Sequence, residues 1–272
     1  MNTAERAGRE AKGAVRRAAS SRTLDVLARV GLACRGVLYT LIGVVAVQIA
    51  AGDRSKEADK AGAVSTLAEL PFGSVLLWVM TAGFGALALW QSSEALSGGG
   101  KLIDKVESIA RVGVYVLVVA TLLSILTSGH AKSDDQKSQD LTGVLLGLPG
   151  GRFLVAAIGL GLAMLGAHWV RQGLTKGFRR ELDLGRMSPR ARSVMDRLGI
   201  GGHVARGMIA ALAGIFVIQA AITFDPDKAG GIDATLRQFA GTPAGPWLLV
   251  AVALGLLLFA GYCFGESRWR HT

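Results

Sequence analysis

Long apolar segments separated by short polar ones dominate the pattern of this chain. Each segment runs for about 17–22 residues without a polar helical face, which is long enough for an α-helix to cross the hydrocarbon core of a bilayer. A soluble core would have to bury these helices on all sides, so the pattern predicts six transmembrane helices. The segments are Val30–Ala51, Phe72–Gln91, Val112–Ser128, Phe153–Val170, Val204–Phe224 and Pro246–Phe264.

The second helix of each pair opens with the same motif, which indicates an internal repeat. A Pro-Xaa-Gly turn, a leucine and a mid-helix glycine begin at Pro71 and recur 78 and 172 residues later. The chain is therefore predicted to be an all-α integral membrane protein, built as three tandem two-helix hairpins with pseudo-threefold repetition. Its predicted parts are a basic tail (1–29), repeat one (30–96), repeat two (110–175), a basic linker (176–199) and repeat three (200–268).

Charge is distributed unevenly between the two sides of the predicted bundle. Of the 30 Lys and Arg residues, 21 lie on the side of the N-terminus and eight on the other side, with Arg35 inside its helix. Short loops rich in Lys and Arg stay in the cytoplasm, so both termini are expected to be cytoplasmic. The loops 52–71, 129–152 and 225–245 are then expected to lie outside.

The basic linker favours lipid over nucleic acid as a partner. The cations of this linker and of the other basic cytoplasmic segments predict contact with anionic headgroups, and the linker could also meet a protein partner. Phe178 stands alone in the segment 171–206, which therefore lacks the interleaved aromatic residues that stack on bases. No nucleic acid is expected.

Two of the outer loops share the sequence Asp-Lys-Ala-Gly, which begins at Asp59 and Asp227. Each copy precedes a short periodic apolar stretch, around 64–70 and 232–239. The pattern predicts a short helix on the outer surface, capped near the aspartate. A cation site is the alternative, but these acids lack the alternating spacing of a calcium loop, so no metal is expected.

Repeats one and three carry one arginine in the first helix and one glutamate at the end of the second. Arg35 corresponds to Arg206, and Glu94 corresponds to Glu266, whereas the middle repeat has leucine and glutamine at the matching positions. An unpaired arginine in a membrane helix is costly. We therefore predict that the pairs Arg35–Glu94 and Arg206–Glu266 lock the cytoplasmic end of each hairpin, with independent snorkelling as the alternative.

Mid-helix glycines stand at the same place in all three repeats, at Gly83, Gly161 and Gly255. Glycine weakens a helix by about 1 kcal/mol relative to alanine in water. The threefold placement therefore predicts close helix packing, with a hinge as the alternative.

The chain contains polar residues near the outer helix ends but no catalytic motif. Gln48, His130 and Gln219 lie towards the outer ends and form a possible shallow polar site for a headgroup or partner. The sequence has no HExxH motif, P-loop or Gly-Xaa-Ser-Xaa-Gly elbow, so neither an enzyme nor a cofactor is expected.

The repeated motifs resemble a known family. They comprise Ala-Arg-Val-Gly at 28–31, Arg-Gly-Val-Leu-Tyr at 35–39, the segment from Leu67 to Gly73 and the segment from Trp90 to Glu94. Together they resemble the bacterial membrane proteins classed as domain of unknown function 1206, over residues 27–268. The resemblance implies three two-helix modules in a bacterial plasma membrane, and it brings no established activity.

Two classes of function fit these observations. The first is a non-catalytic membrane scaffold that binds a partner or lipid. The second is a small-molecule or ion transporter or channel with a path between the three hairpins. The chain places no ionisable residue near the membrane midplane, which favours the scaffold. A roomy polar cavity would favour transport, and an interior filled by apolar side chains would favour the scaffold.

Overall fold

The computed structural model describes residues 22–51, 60–68, 71–96, 102–129, 132–229 and 245–270. Within them lie α1 (Arg22–Ala50), α2 (Lys60–Ala68), α3 (Gly73–Leu96), α4 (Leu102–Ser128), α5 (Asp134–Leu146), α6 (Gly151–Leu174), α7 (Pro189–Thr223) and α8 (Gly245–Trp269), with 3₁₀ helices at Gly177–Glu181, Leu184–Arg186 and Pro226–Lys228. Six described helices, α1, α3, α4, α6, α7 and α8, are long and apolar enough to cross a membrane. The predicted all-α membrane fold is confirmed.

Helix α7 begins well before its apolar segment. The Ser188 hydroxyl accepts a hydrogen bond from the backbone N–H of Ala191 at 3.2 Å, and Pro189 occupies the first turn. A serine cap followed by proline is a strong helix start. The basic linker predicted over 176–199 is therefore helical in its second half.

The long helices do not pack in the order of the chain. Helix α3 lies between α4 and α1, helix α1 packs on α8, helix α8 packs on α7, and α7 packs on α6. Helices α4 and α6, which belong to the middle repeat, are not close neighbours in the described structure. The first and third hairpins are thus closed, whereas the middle hairpin is open.

Glycines bring α6 and α7 together along an antiparallel interface. Gly166 lies against Gly207, and a Cβ atom built on Gly166 would be 2.6 Å from the carbonyl oxygen of Gly207. Seven residues along each helix, Gly159 lies against Gly214 in the same way. Without side chains between them, the two backbones approach closely and gain van der Waals contact.

The three equivalent mid-helix glycines do not play one role. Gly83 lies against Gly31 of α1, and a Cβ atom on Gly255 would be 2.2 Å from the Cβ of Ala205 on α7. Gly161 is exposed, and a Cβ atom there would meet no described atom within 4 Å. Within the described chain, the packing role predicted for Gly161 is therefore not fulfilled. Its counterparts face the first helix of their own hairpins, and α6 has no such neighbour because the middle hairpin is open.

Short helices cover the end of the bundle opposite the long linker. Helix α2 forms where it was predicted in repeat one, whereas the corresponding stretch 232–239 of repeat three lies outside the described residues. In the middle repeat, Ser133 and Gln136 form a capping box that starts the unpredicted helix α5.

Candidate functional site

Both described ends of the chain meet at one end of the bundle, which we call the basic end. The Arg29 guanidinium donates a hydrogen bond to the backbone carbonyl of Arg268 at 3.3 Å. The linker between α6 and α7 folds over the same end, where the N–H of Asp183 donates to the carbonyl of Trp269 at 2.7 Å. The start of α1, the end of α8 and this linker therefore form one surface.

Two carboxylates and two arginines form a network under the linker. Arg111 Nη2 donates to Glu181 Oε1 at 2.9 Å, and Arg270 Nη1 lies 3.9 Å from Glu181 Oε2. Arg270 also donates to the carboxylate of Glu266, four residues earlier. Burial alone would raise the pKa of Glu181, but Arg111 and Arg270 outweigh it and hold that pKa well below its ordinary value. Glu181 is therefore ionised at neutral pH.

Arg35 and Arg206 contact the same aromatic ring. Their guanidinium carbons lie 4.8 Å and 5.2 Å from the centre of the Phe259 ring. Arg206 also stacks on Trp169 at 3.8 Å, and Arg35 Nη1 donates to the hydroxyl of Tyr115 at 3.2 Å. Aromatic faces thus stabilise both cations inside the bundle.

The predicted ion pair between Arg206 and Glu266 is not formed. Glu266 accepts from Arg270 instead, since Arg270 lies one helical turn further along the chain. Aromatic rings already cover Arg206. The other predicted pair joins Arg35 to Glu94, whose side chain lies outside the described residues, so that pair stays a prediction.

The middle repeat supplies an arginine and a glutamate from displaced positions. Arg111 lies six residues before Leu117, which matches Arg35, and Glu181 lies nine residues after Gln172. Six helical residues span about 9 Å, much of which an arginine side chain can cover. Comparing the repeats position by position therefore misses the pair of Arg111 and Glu181. Such a comparison takes no account of the length of the arginine side chain or of the turn that the linker makes after α6.

The arginines of the three first helices line a common cavity at the basic end. Arg35 from α1, Arg111 from α4 and Arg206 from α7 surround a space of about 20 Å³, enough for about one water molecule. The side chains of Tyr39 and Tyr115 also line it, and most of the remaining wall is apolar. Sequence reasoning singled out two of these arginines but did not bring them together.

A buried aromatic cluster anchors the linker beside this cavity. Phe178, from the 3₁₀ helix after α6, is fully buried and stacks on His203 with ring centres 5.2 Å apart. The rings of Tyr262 and Phe259 meet the same imidazole edge-on, at 4.8 Å and 5.3 Å. Gly199 makes room for Phe178, since a Cβ atom there would lie 2.4 Å from its ring. Phe178, the lone aromatic residue of the segment 171–206, thus anchors the linker to the helices.

The predicted outer polar site is not assembled by the described residues. Gln48 and Gln219 are exposed, and no hydrogen bond joins their side chains in the described part of the chain. His130 lies outside the described residues. Among the described side chains, no group of three or more His, Cys, Asp or Glu residues could hold a metal ion.

The fold defines the chain as a multi-pass α-helical membrane protein built from a repeated pair of helices. The family model called Domain of Unknown Function (DUF1206) matches three times, at residues 30–98, 106–176 and 201–270. The chain belongs to this family, and the resemblance of its motifs is confirmed.

A curated relative is similar over most of the chain. It is an "Uncharacterized protein YxxB" from Bacillus subtilis (strain 168), which is 28% identical over an alignment of 251 residues. The match covers 89% of this chain and 90% of the relative. No solved structure matches. These comparisons indicate no catalytic family.

Proposed function

We propose that the protein is a non-catalytic scaffold of the bacterial plasma membrane, whose basic end faces the cytoplasm and holds anionic lipid headgroups. The observation that carries the proposal is a cationic surface on the linker and on the adjoining turns of α6 and α7. Six arginine side chains are exposed there, at Arg171, Arg180, Arg186, Arg190, Arg192 and Arg197.

The acids of this region are engaged by neighbouring groups, which leaves the surface cationic. Glu181 pairs with Arg111 under the linker, and Asp196 pairs with Lys176 and Arg179. Asp183 accepts a hydrogen bond from the backbone of the 3₁₀ helix that it caps. Each exposed cation near an anionic membrane contributes about 1 kcal/mol of attraction.

Exposed apolar side chains lie among these arginines. Leu174 ends α6 with 63% of its surface exposed, and Val194 in the first turns of α7 is 54% exposed. Such side chains fit the acyl boundary, while long arginine side chains reach outward to the phosphates. The combination favours lipid over a soluble polyanion.

The packing inside the bundle supports a scaffold over a conduit. Leu32, Phe84, Leu122 and Phe259 are almost completely buried among the helices. The cavity lined by the three arginines measures only about 20 Å³, far below the several hundred Å³ of a site for a drug-sized molecule. A carrier would need a larger polar space at this position.

Lipid retention tests the headgroup proposal. The protein is reconstituted in nanodiscs, and its affinities for phosphatidylglycerol and phosphatidylcholine are compared. The triple variant Arg186→Gln/Arg190→Gln/Arg192→Gln should lose about 100-fold in affinity for the anionic lipid at low salt, since about 3 kcal/mol of attraction is removed. The matched control Lys132→Gln/Arg152→Gln/Lys228→Gln changes three exposed cations away from the basic end and should keep the affinity.

Equal losses in the two triple variants, or no preference for the anionic lipid in the unaltered protein, would contradict headgroup binding. A partner that co-purifies with the unaltered protein but not with the linker variant would then assign the surface to protein. For the transport alternative, liposomes carrying the protein should show no proton, sodium or potassium flux above empty vesicles. A flux abolished by Gln48→Ala plus Gln219→Ala would instead support a carrier.

A further inference from the structure

We propose that the cavity between α1, α4 and α7 binds one small inorganic anion of about halide size. Its wall contains three arginines, Arg35, Arg111 and Arg206, one from the first helix of each repeat. Arginine carries its charge under all physiological conditions and presents several N–H donors. Three such groups around one small cavity form an arrangement that attracts an anion.

Among six described charged side chains at or beside the cavity, four are cations and two are carboxylates. The four cations are the three cavity arginines and Arg270. The carboxylates of Glu181 and Glu266 form their ion pairs with Arg111 and Arg270. A bound monovalent anion would neutralise part of the excess of two positive charges among these groups.

Arg35 and Arg206 have aromatic and hydroxyl contacts in place of carboxylates among the described residues. Arg206 lies between the rings of Trp169 and Phe259, and Arg35 contacts the same Phe259 ring and the hydroxyl of Tyr115. An aromatic face attracts a cation without cancelling its charge. The two guanidinium groups therefore share one ring and repel each other, which an anion in the adjoining cavity would relieve.

The tyrosines suit the same occupant. The hydroxyl oxygen of Tyr115 accepts its hydrogen bond from Arg35, so its own O–H is available to donate to a group in the cavity. Tyr39 also lines the space and is held edge-on against Phe259, with ring centres 4.7 Å apart. The site thus combines cations with neutral O–H donors.

The size of the cavity selects the anion. A space of about 20 Å³ accepts about one water molecule, and a monatomic anion is of similar size. A lipid phosphate is attached to a glycerol group, so the helices would have to move apart before a lipid headgroup could enter the cavity. The site is therefore distinct from the headgroup surface of the linker, and it does not depend on lipid binding there.

Equilibrium binding of radioactive chloride to the purified, detergent-solubilised protein tests the site. Gluconate, which is too large to enter, keeps the ionic strength constant. We expect saturable binding that approaches one chloride per chain and is displaced by bromide but not by gluconate or inorganic phosphate. An absence of saturable binding overturns the proposal, and displacement by phosphate as strong as by bromide overturns the size assignment.

Single variants locate the chloride. Arg35→Gln and Arg206→Gln should each weaken binding at least tenfold. The matched control is Arg152→Gln, because Arg152 also lies over aromatic rings, those of Phe153 and Phe224, but does not line the cavity. Equal weakening in the control and in Arg206→Gln overturns the proposed location.

A conservative variant keeps the test decisive if the arginine variants do not fold. Tyr115→Phe retains the ring and every charge and removes only the hydroxyl that bonds Arg35. It should keep the helical circular dichroism and the elution volume of the unaltered protein, and it should weaken chloride binding severalfold. The proposal is overturned if folded Tyr115→Phe binds chloride as tightly as the unaltered protein and no folded arginine variant binds it more weakly.

Discussion

The interface between α6 and α7 offers a pair of substitutions that separate packing from helix propensity. Gly166 and Gly161 lie on the same membrane helix, and both would gain one methyl group on substitution by alanine. A Cβ atom on Gly166 would lie 2.4 Å from the backbone nitrogen of Ala211 and 2.6 Å from the carbonyl oxygen of Gly207. One on Gly161 would meet none of the described atoms within 4 Å. The chemical change is identical, and the surroundings are opposite.

The expected free energies follow from these distances. Ordinary contact begins near 3.4 Å, so alanine at position 166 would push the two backbones apart by about 1 Å. Overpacking of a close interface costs about 1–3 kcal/mol, and a 1 Å gap also forfeits up to about half of each van der Waals well. The gain in helix propensity is at most about 1 kcal/mol. We therefore expect Gly166→Ala to destabilise the protein by about 1–3 kcal/mol.

Unfolding measurements decide the outcome. Both variants are unfolded by sodium dodecyl sulfate in mixed micelles, and the free energy is obtained from tryptophan fluorescence. Gly161→Ala should leave the free energy of unfolding unchanged or raise it by up to about 1 kcal/mol. Equal effects of the two substitutions would refute the idea that Gly166, and not Gly161, is a packing glycine.

The remaining predictions concern charge and topology. Glu181→Gln should destabilise the protein by about 2 kcal/mol, a value between those for buried and surface ion pairs. Asp140→Asn breaks an exposed pair with Lys132 and should cost less than about 1 kcal/mol. Both values are measured by the same unfolding assay. Because the folded-state pKa of Glu181 is lowered, its stabilisation is complete above its ordinary pKa and is lost as the pH falls through the folded value. The unaltered protein should therefore lose more stability than Glu181→Gln between about pH 6 and pH 3, and equal losses would contradict this assignment. A cysteine introduced at Ser55 should react with an impermeant thiol reagent in intact cells, and one at Ser188 should not; the reverse result would invert the proposed orientation.

The sequence was informative wherever a property depends on the segment as a whole. Length and hydrophobicity decide whether a helix can span a bilayer, so all six spans could be predicted. The triplicated motifs identified the family for the same reason. Helix neighbours were harder to predict, because they depend on which faces meet. Gly159 and Gly161 are two residues apart and therefore about 200° apart around the helix, and repeat alignment selected the one that faces open space.

The charged network shows the same limit in a different form. An alignment of the repeats places each charge at the position of its Cα atom along the helix axis. The Arg111 side chain extends along α4 to the cavity that Arg35 and Arg206 also line. Glu181 reaches Arg111 from the linker, and the path of the linker cannot be predicted from its sequence. The role of Phe178 could not be predicted from the sequence either, because it depends on the burial of this ring against His203.

The packing of α1 against α8 ties the first long helix to the last, and this has a consequence for biogenesis. The ribosome completes α1 at residue 50 and α8 only at residue 269. At about 5–20 residues per second, α1 waits on the order of ten to forty seconds for this neighbour. During that interval Arg35 lies in a nascent helix without the Phe259 ring that later covers its guanidinium. Helices α6 and α7 follow each other directly, so their glycine interface can form while α8 is still being synthesised. Loss of the last helix would then leave a membrane-inserted intermediate with an uncovered arginine, the kind of species that membrane quality-control proteases remove.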